Sequence, residues 1–313
     1  MKVPTLGTSV FSPVLRTGTG ADATVTGVGF APDLFVSGTR TGGGGEQGGF
    51  GDKLRGVGRP LRSWTTAAER NDGAVDVTAY GMDGISVGND SSVGYMNYAP
   101  GTYIWYFFKR APSFMDVVCY AGTGSATTVT HNLAAVPELI IVKSRNGGAE
   151  NWRVYYGVNQ SMALNTTAAG GTAGPVLWND TAPTASVFSV GTSTNTNGSG
   201  YTYVAYLFAT CAGVSKVGSY TGTGTTLQVD CGFTAGARFV LIKKTSGTGS
   251  WYVWDSARGI VSGNDPYLLL NSTAAEVTNT DYIDTYSAGF EISSTAPSEI
   301  NENGGSFIFF AVA

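Results

Sequence analysis

The chain repeats itself three times, and no other feature restricts its fold as strongly. Gly-Thr-Gly opens each unit, at Gly18, Gly122 and Gly222. An apolar stretch follows in the same place: PDLFVSGTR from Pro32, PELIIVKSR from Pro137 and ARFVLIKKT from Ala237. Then come TTAAE from Thr65, TTAAG from Thr166 and STAAE from Ser272, and after them GISVG at Gly84, FSVG at Phe188 and GFEIS at Gly289. Each unit closes on an aromatic run: TYIWYFF at Thr102, TYVAYLF at Thr202 and SFIFFAV at Ser306. Opening glycine and closing run lie 84, 80 and 84 residues apart, so five landmarks keep one order at nearly one spacing. Units of about 100 residues are too long for solenoid repeats and of the size of complete domains. The division expected is 1–112, with a short N-terminal attachment segment, 113–213 and 214–313. The joints at Lys109–Ser113 and Ala212–Lys216 are short, so neighbouring units should touch, as a stiff rod or a compact cluster.

Within the second unit, VVCYAG, ATTVTHNL, ELIIVKSR, NWRVYYG, PVLWND, SVFSVG and YTYVAYLF read as short strands between Gly, Asn, Ser and Thr turns. Seven such strands in about 95 residues predict an all-β chain of three antiparallel, jelly-roll-like β-sandwiches. LIIV at Leu139 is apolar on both faces, as for a strand covered on both sides. With 45 glycines and 11 prolines, long helices are not expected; DSARGIV at Asp255 and NSTAAE at Asn271 could each make a turn or two. The Ala-Ala pairs read as a tightly packed crossing segment.

Composition narrows the chemistry. His131 is the single histidine, read as a turn or surface residue, so a multi-histidine zinc site is excluded. Cys119, Cys211 and Cys231 are odd in number and lack CxxC spacing, against a disulfide framework. Net charge is −4, with no basic stripe for nucleic acid and no apolar run long enough for a membrane helix. The N-terminus lacks the apolar core of a signal peptide, which points to synthesis in the cytoplasm. The glycines of the Gly-Thr-Gly openings and of the Gly42–Gly45 run fit turns and a surface loop, since no GxxxxGK[ST] is present. Acid pairs such as Asp281 with Asp284, or Glu276 with Glu291, do not recur in all three units, so glycoside hydrolysis is not expected. Asn165 and Asn271 head Asn-x-Ser/Thr triplets that are read as turn chemistry. No enzyme, cofactor or metal is expected.

The residues singled out are two pairs, Asp52 with Arg55 and Asp255 with Arg258, three apart on a turn, and Trp254 beside the second. Two readings stay open: a contact to a glycan or a neighbouring subunit, or a local pair holding the turn. The second unit has YYGVNQ where the others carry Asp and Arg. Trp64, Trp152, Trp178 and Trp251, with Trp254, lie near turns or strand ends, and some are candidates for a binding surface.

VGFAPDLFVS at Val28, VPELIIVKSR at Val136, GDKLRG at Gly51, WDSARG at Trp254, LLLNSTAAE at Leu268, AGFEIS at Ala288 and TYVAYLFAT at Thr202 together resemble a repeat module of tailed-bacteriophage virion structural proteins, over nearly the whole chain. The resemblance implies a structural protein on the virion surface, assembled in the host cytoplasm: a tail fibre or tail-tip appendage with host-glycan adhesion. Partners would be other virion proteins, further copies in a homotrimer, and a host surface glycan. A capsid decoration or head fibre, and a non-viral carbohydrate-binding adhesin, are the alternatives.

Overall fold

A computed structural model describes residues 2–42, 49–90 and 96–313; residues 43–45 of the glycine run lie outside them. The chain is all-β and antiparallel. Each repeat pairs one large sheet with one small sheet. In the first, the large sheet runs Phe11–Thr17, Thr102–Phe108, Leu34–Thr41, Gly49–Asp52, Leu61–Arg62. Its small sheet is Ala23–Val25, Ile85–Val87, Val77–Tyr80. The third repeat has the same order, with Ser306–Val312 between Ser215–Thr221 and Phe239–Lys244. The second widens its large sheet to six strands and narrows the small one to Thr127–Thr130 and Val187–Val190.

The closing aromatic runs are central strands, and their period of two sorts side chains between two cores. Tyr103, Trp105 and Phe107 face the small sheet of their own repeat, while Ile104, Tyr106 and Phe108 face the other way. Tyr203, Ala205 and Leu207 divide from Val204, Tyr206 and Phe208 in the same manner, and Phe307, Phe309 and Ala311 from Phe310 and Val312. The outward sets merge. One core holds Leu34, Val36, Leu139, Ile141, Phe239 and Leu241, so the three large sheets pack on one another around a common axis. Rings from all three repeats meet there: Phe108 and Phe208 at 5.9 Å between centroids, Phe208 and Phe310 at 4.7 Å, Phe108 and Phe239 at 5.9 Å. A cavity of about 30 Å³ on this axis is lined by apolar groups. The arrangement is therefore a cluster closed on itself, with a fourth core shared by three sandwiches. LIIV is covered on one face by its own small sheet and on the other by neighbouring repeats.

The joints are tight turns, bridged Ala111 to Met115 and Cys211 to Ser215. Gly7 to Phe11 repeats this turn, with Val10 N–H donating to Gly7 O at 3.0 Å. The amides of Lys109, Ala209 and Ala313 donate to the carbonyls of Val10, Phe114 and Val214, so each repeat is clasped at its own ends by one equivalent bond. Gly7 abuts Ala313, where a Cβ on residue 7 would strike the Ala313 carbonyl.

The Gly-Thr-Gly openings are turns held by an asparagine five residues before each closing strand. Asn97, Asn197 and Asn301 accept the amides of Thr19, Thr123 and Thr223 through Oδ1, and their carbonyls take Gly20, Gly124 and Gly224. Those last glycines have φ of 66°, 74° and 69°, where a side chain is strained. Several local expectations are corrected. PVLWND begins an α-turn, Pro175–Trp178, because Pro at N1 and the small residues before it suit a helix start, and it packs Leu177 and Trp178 inward. The DSARG segment is a hydrogen-bonded turn, and NSTAAE is irregular, its backbone drawn across the neighbouring repeat. Gln160–Ala163 and Gly171–Thr172 are additional strands that polar sequence concealed.

Candidate functional site

Three seams join the repeats: first to second, second to third, third to first. Each is crossed by the small-residue segment of the earlier repeat, which donates one backbone bond: Glu69 N–H to Arg145 O at 2.7 Å, Gly170 to Thr245 at 2.9 Å, Glu276 to Arg40 at 3.2 Å. These residues hold matching places in the TTAAE, TTAAG and STAAE motifs and the PDLFVSGTR-type strands. Buried lysines add to two seams. Lys143 Nζ donates to Thr66 O at 2.9 Å, and Lys243 Nζ to Thr167 O at 3.3 Å. Burial lowers both ammonium groups to a pKa of about 8. The matching place in the first repeat is Gly38, and there the Leu268 side chain of the third repeat fills the room.

Asp52, Arg55, Asp255 and Arg258 lie in these seams, with all four side chains fully buried. Arg55 Nε meets Asp52 Oδ2 at 2.5 Å. Its Nη2 donates to Tyr206 Oη of the second repeat at 3.0 Å and to Phe50 O at 2.8 Å, and its Nη1 to Glu69 at 3.0 Å and to Arg59 O at 2.6 Å. All five guanidinium N–H groups are thus used. Tyr206 Oη donates in turn to Asp52 at 2.9 Å, and Arg145 of the second repeat grips Glu69 with two bonds, 2.9 and 3.0 Å. The third-to-first seam repeats this. Arg258 Nε meets Asp255 at 2.5 Å, Tyr106 Oη donates to Asp255 at 3.0 Å, and Arg40 grips Glu276 at 2.6 and 3.0 Å. Burial works against both buried arginine charges, yet the tyrosine and carboxylate oxygens hold Arg55 and Arg258 above the ordinary value. Burial likewise raises the phenols of Tyr106 and Tyr206.

The pairs that the sequence offered as contacts to a ligand or a neighbour thus touch a neighbouring repeat of their own chain, and burial closes them to an outside ligand. Trp254 is wholly buried in the third repeat's own core, stacked on Tyr252 at 5.6 Å. Trp152, Trp178 and Trp251 are buried as well, and so offer no binding surface. Trp152 and Trp251 send their indole N–H across seams, to Arg62 O at 2.9 Å and Ala163 O at 3.1 Å. Asn165 and Asn271 accept the backbone amides of those same tryptophans at 3.0 and 2.8 Å. His131 is buried rather than exposed, with Nε2 at 3.2 Å from Thr184 O and its ring stacked on Phe188. Glu276 belongs to the seam, while Glu291 takes the Gln228 amide, so they form no acid pair. Sequence reasoning missed Glu69, Arg145 and Tyr206 as members of one constellation and Glu276, Arg40 and Tyr106 as members of its counterpart. Their motifs were visible, but their partners come from other repeats.

The second-to-third seam differs at every one of these places. Tyr156, Asn159 and Gly170 stand for the Asp, Arg and Glu of the other seams, and Thr245 and Phe310 for the receiving Arg and Tyr. Tyr156 fills the space, since a Cβ on residue 170 would collide with its hydroxyl. Beside it a surface groove of about 400 Å³ runs between the two repeats. Tyr156, Val136, Val158, Pro183, Glu138 and Ile308 line it, and Val136 and Val158 are each 50% exposed. Glu138 accepts the Thr210 amide at 2.5 Å on the rim. Among the described residues no group of three or more His, Cys, Asp or Glu is gathered as a metal ion would require.

A family model described as a domain of unknown function, DUF7483, matches residues 7–313, and the chain belongs to that family. The match takes in all three repeats and begins at the glycine that abuts Ala313. No curated protein matches the chain.

Proposed function

We propose that the protein is a non-enzymatic structural component of a tailed-phage virion, displayed on the particle surface as a tail-fibre or tail-tip appendage. The observation that supports a structural reading is the use made of the ionisable residues: the Asp-Arg pairs the sequence singles out, joined by a Glu of the same repeat and by Arg and Tyr groups of the facing repeat, lock two of the three seams of one body. The resemblance of the repeat supports the virion. The body supplies within one chain the threefold arrangement expected of a homotrimer, so the proposal takes a single copy as the unit that docks on other virion proteins.

The groove of the second-to-third seam is the proposed place of host-glycan adhesion. A half-buried tyrosine and an apolar rim offer contact to the C–H face of a sugar, and the Glu138 carboxylate and Ser219 hydroxyl offer hydrogen bonds. Cryo-electron microscopy of the particle that encodes the chain tests the main proposal, which predicts density for the three-lobed body on the tail. Density on the capsid lattice would make it a decoration or head fibre, and absence of the protein from purified particles would remove the virion reading and favour an adhesin. A glycan array tests the groove. Binding is expected for the parent and lost in Val158→Arg, whose half-exposed position leaves the fold intact.

A further inference from the structure

We infer that the seam network is an addressing code that fixes which repeat packs on which. Each repeat presents a leaving face, with the Asp, Arg and Glu places, and a receiving face, with the Arg and Tyr places. The first repeat carries both in ionic form: Asp52, Arg55 and Glu69 leaving, Arg40 and Tyr106 receiving. The second receives ionically through Arg145 and Tyr206 but leaves through Tyr156, Asn159 and Gly170. The third leaves ionically through Asp255, Arg258 and Glu276 but receives through Thr245 and Phe310. The ionic halves therefore meet at two seams and the neutral halves at the third. Five replacements, contributed by two repeats, fall on the two sides of one seam.

Physical chemistry makes mixed pairing costly. An ionic leaving face against Phe310 loses the phenol that bridges Asp and Arg, and its buried Glu loses its bidentate arginine. A neutral leaving face against Tyr106 and Arg40 leaves the buried Tyr106 phenol without the Asp and Arg that satisfy it, and takes from Arg40 the carboxylate it grips. Moreover, the Tyr156 hydroxyl lies where a Cβ at residue 170 would stand, so a glutamate there requires the tyrosine to move and the neutral set disfavours the ionic one. The cyclic order of three similar domains follows from this matching, together with the short joints.

The test is a transplant in the full chain, read by thermal melting with size-exclusion chromatography as a check on folding. Thr245→Arg with Phe310→Tyr installs the ionic receiving face on the third repeat. Tyr156→Asp, Asn159→Arg and Gly170→Glu install the ionic leaving face on the second. Each half alone is expected to lower the melting midpoint by about 5 °C or more, and the five together to recover most of both losses. The reverse series decides the matter even if those variants fail to fold. At the first-to-second seam, Asp52→Tyr, Arg55→Asn, Glu69→Gly, Arg145→Thr and Tyr206→Phe together should be more stable than Arg145→Thr with Tyr206→Phe alone. Additive losses in whichever series folds would overturn the inference.

Discussion

Replacing Arg55 with methionine separates a shared body from three independent domains. The substitution keeps most of the side-chain volume but removes a guanidinium whose N–H groups meet Asp52, Glu69, Tyr206 and two carbonyls. Asp52 is then left buried and without its cation, and breaking a buried pair from one side costs about 3–5 kcal/mol. If the 313 residues melt as one unit, an unfolding entropy of about 2.1 cal/mol/K per residue turns that cost into a fall of about 5–8 °C. Were the first repeat to melt alone, as a unit of about 100 residues, the same cost would be a fall of about 14–24 °C with a second transition left in place. Calorimetry supplemented by tryptophan fluorescence reads both quantities. The shared core around Phe108, Phe208 and Phe310 predicts the smaller fall and a single transition. Tyr206→Phe should cost about 1–3 kcal/mol, or about 2–5 °C on the same entropy scale. The double variant should lose less than the sum, because both remove support from the same carboxylate. An unchanged midpoint in Arg55→Met, or two resolved transitions, would refute the reasoning.

Three other outcomes are expected. Burial raises the Asp76 carboxyl to about 7, so the fold holds a proton there that the unfolded chain releases near pH 4. Its contribution is present below about pH 4 and is lost as pH rises through 7; Asp76→Asn should flatten the pH dependence of stability over that window, as denaturant titrations at pH 4.5 and 7.5 would measure. Lys143 behaves oppositely: with its pKa lowered to about 8 by burial, the fold gives up a proton that the unfolded chain keeps, and stability gains as pH rises from about 8 to 10. Lys143→Met should abolish that share of the gain, and an identical alkaline profile in the variant would count against it. Finally, because Gly7 abuts Ala313, a circular permutant that joins them through a short glycine linker and opens between Ala212 and Gly213, both exposed, should fold with one cooperative transition; a molten or aggregated product in chromatography and circular dichroism would show that the joint at 211–215 does more than connect.

The parts of this protein that are legible in its sequence are those governed by local geometry. Alternation in TYIWYFF, TYVAYLF and SFIFFAV sets which residues face each way, because successive side chains on a strand point to opposite faces whatever surrounds them. The turn role of Gly-Thr-Gly follows from glycine's freedom at positive φ, seen at Gly20, Gly124 and Gly224. The repeat itself needs only counting. Tertiary structure alone decided what the outward faces meet. Doubly apolar strands announce cover on both sides but not its source, and here one side is covered by the repeat's own small sheet and the other by the two other repeats. Asp52 and Arg55 are three residues apart and read as a local turn pair, whereas the phenol that completes them lies 151 residues beyond Arg55. An ion pair's worth depends on burial and on its remaining partners, and in this chain both are set by how three sandwiches close on one another.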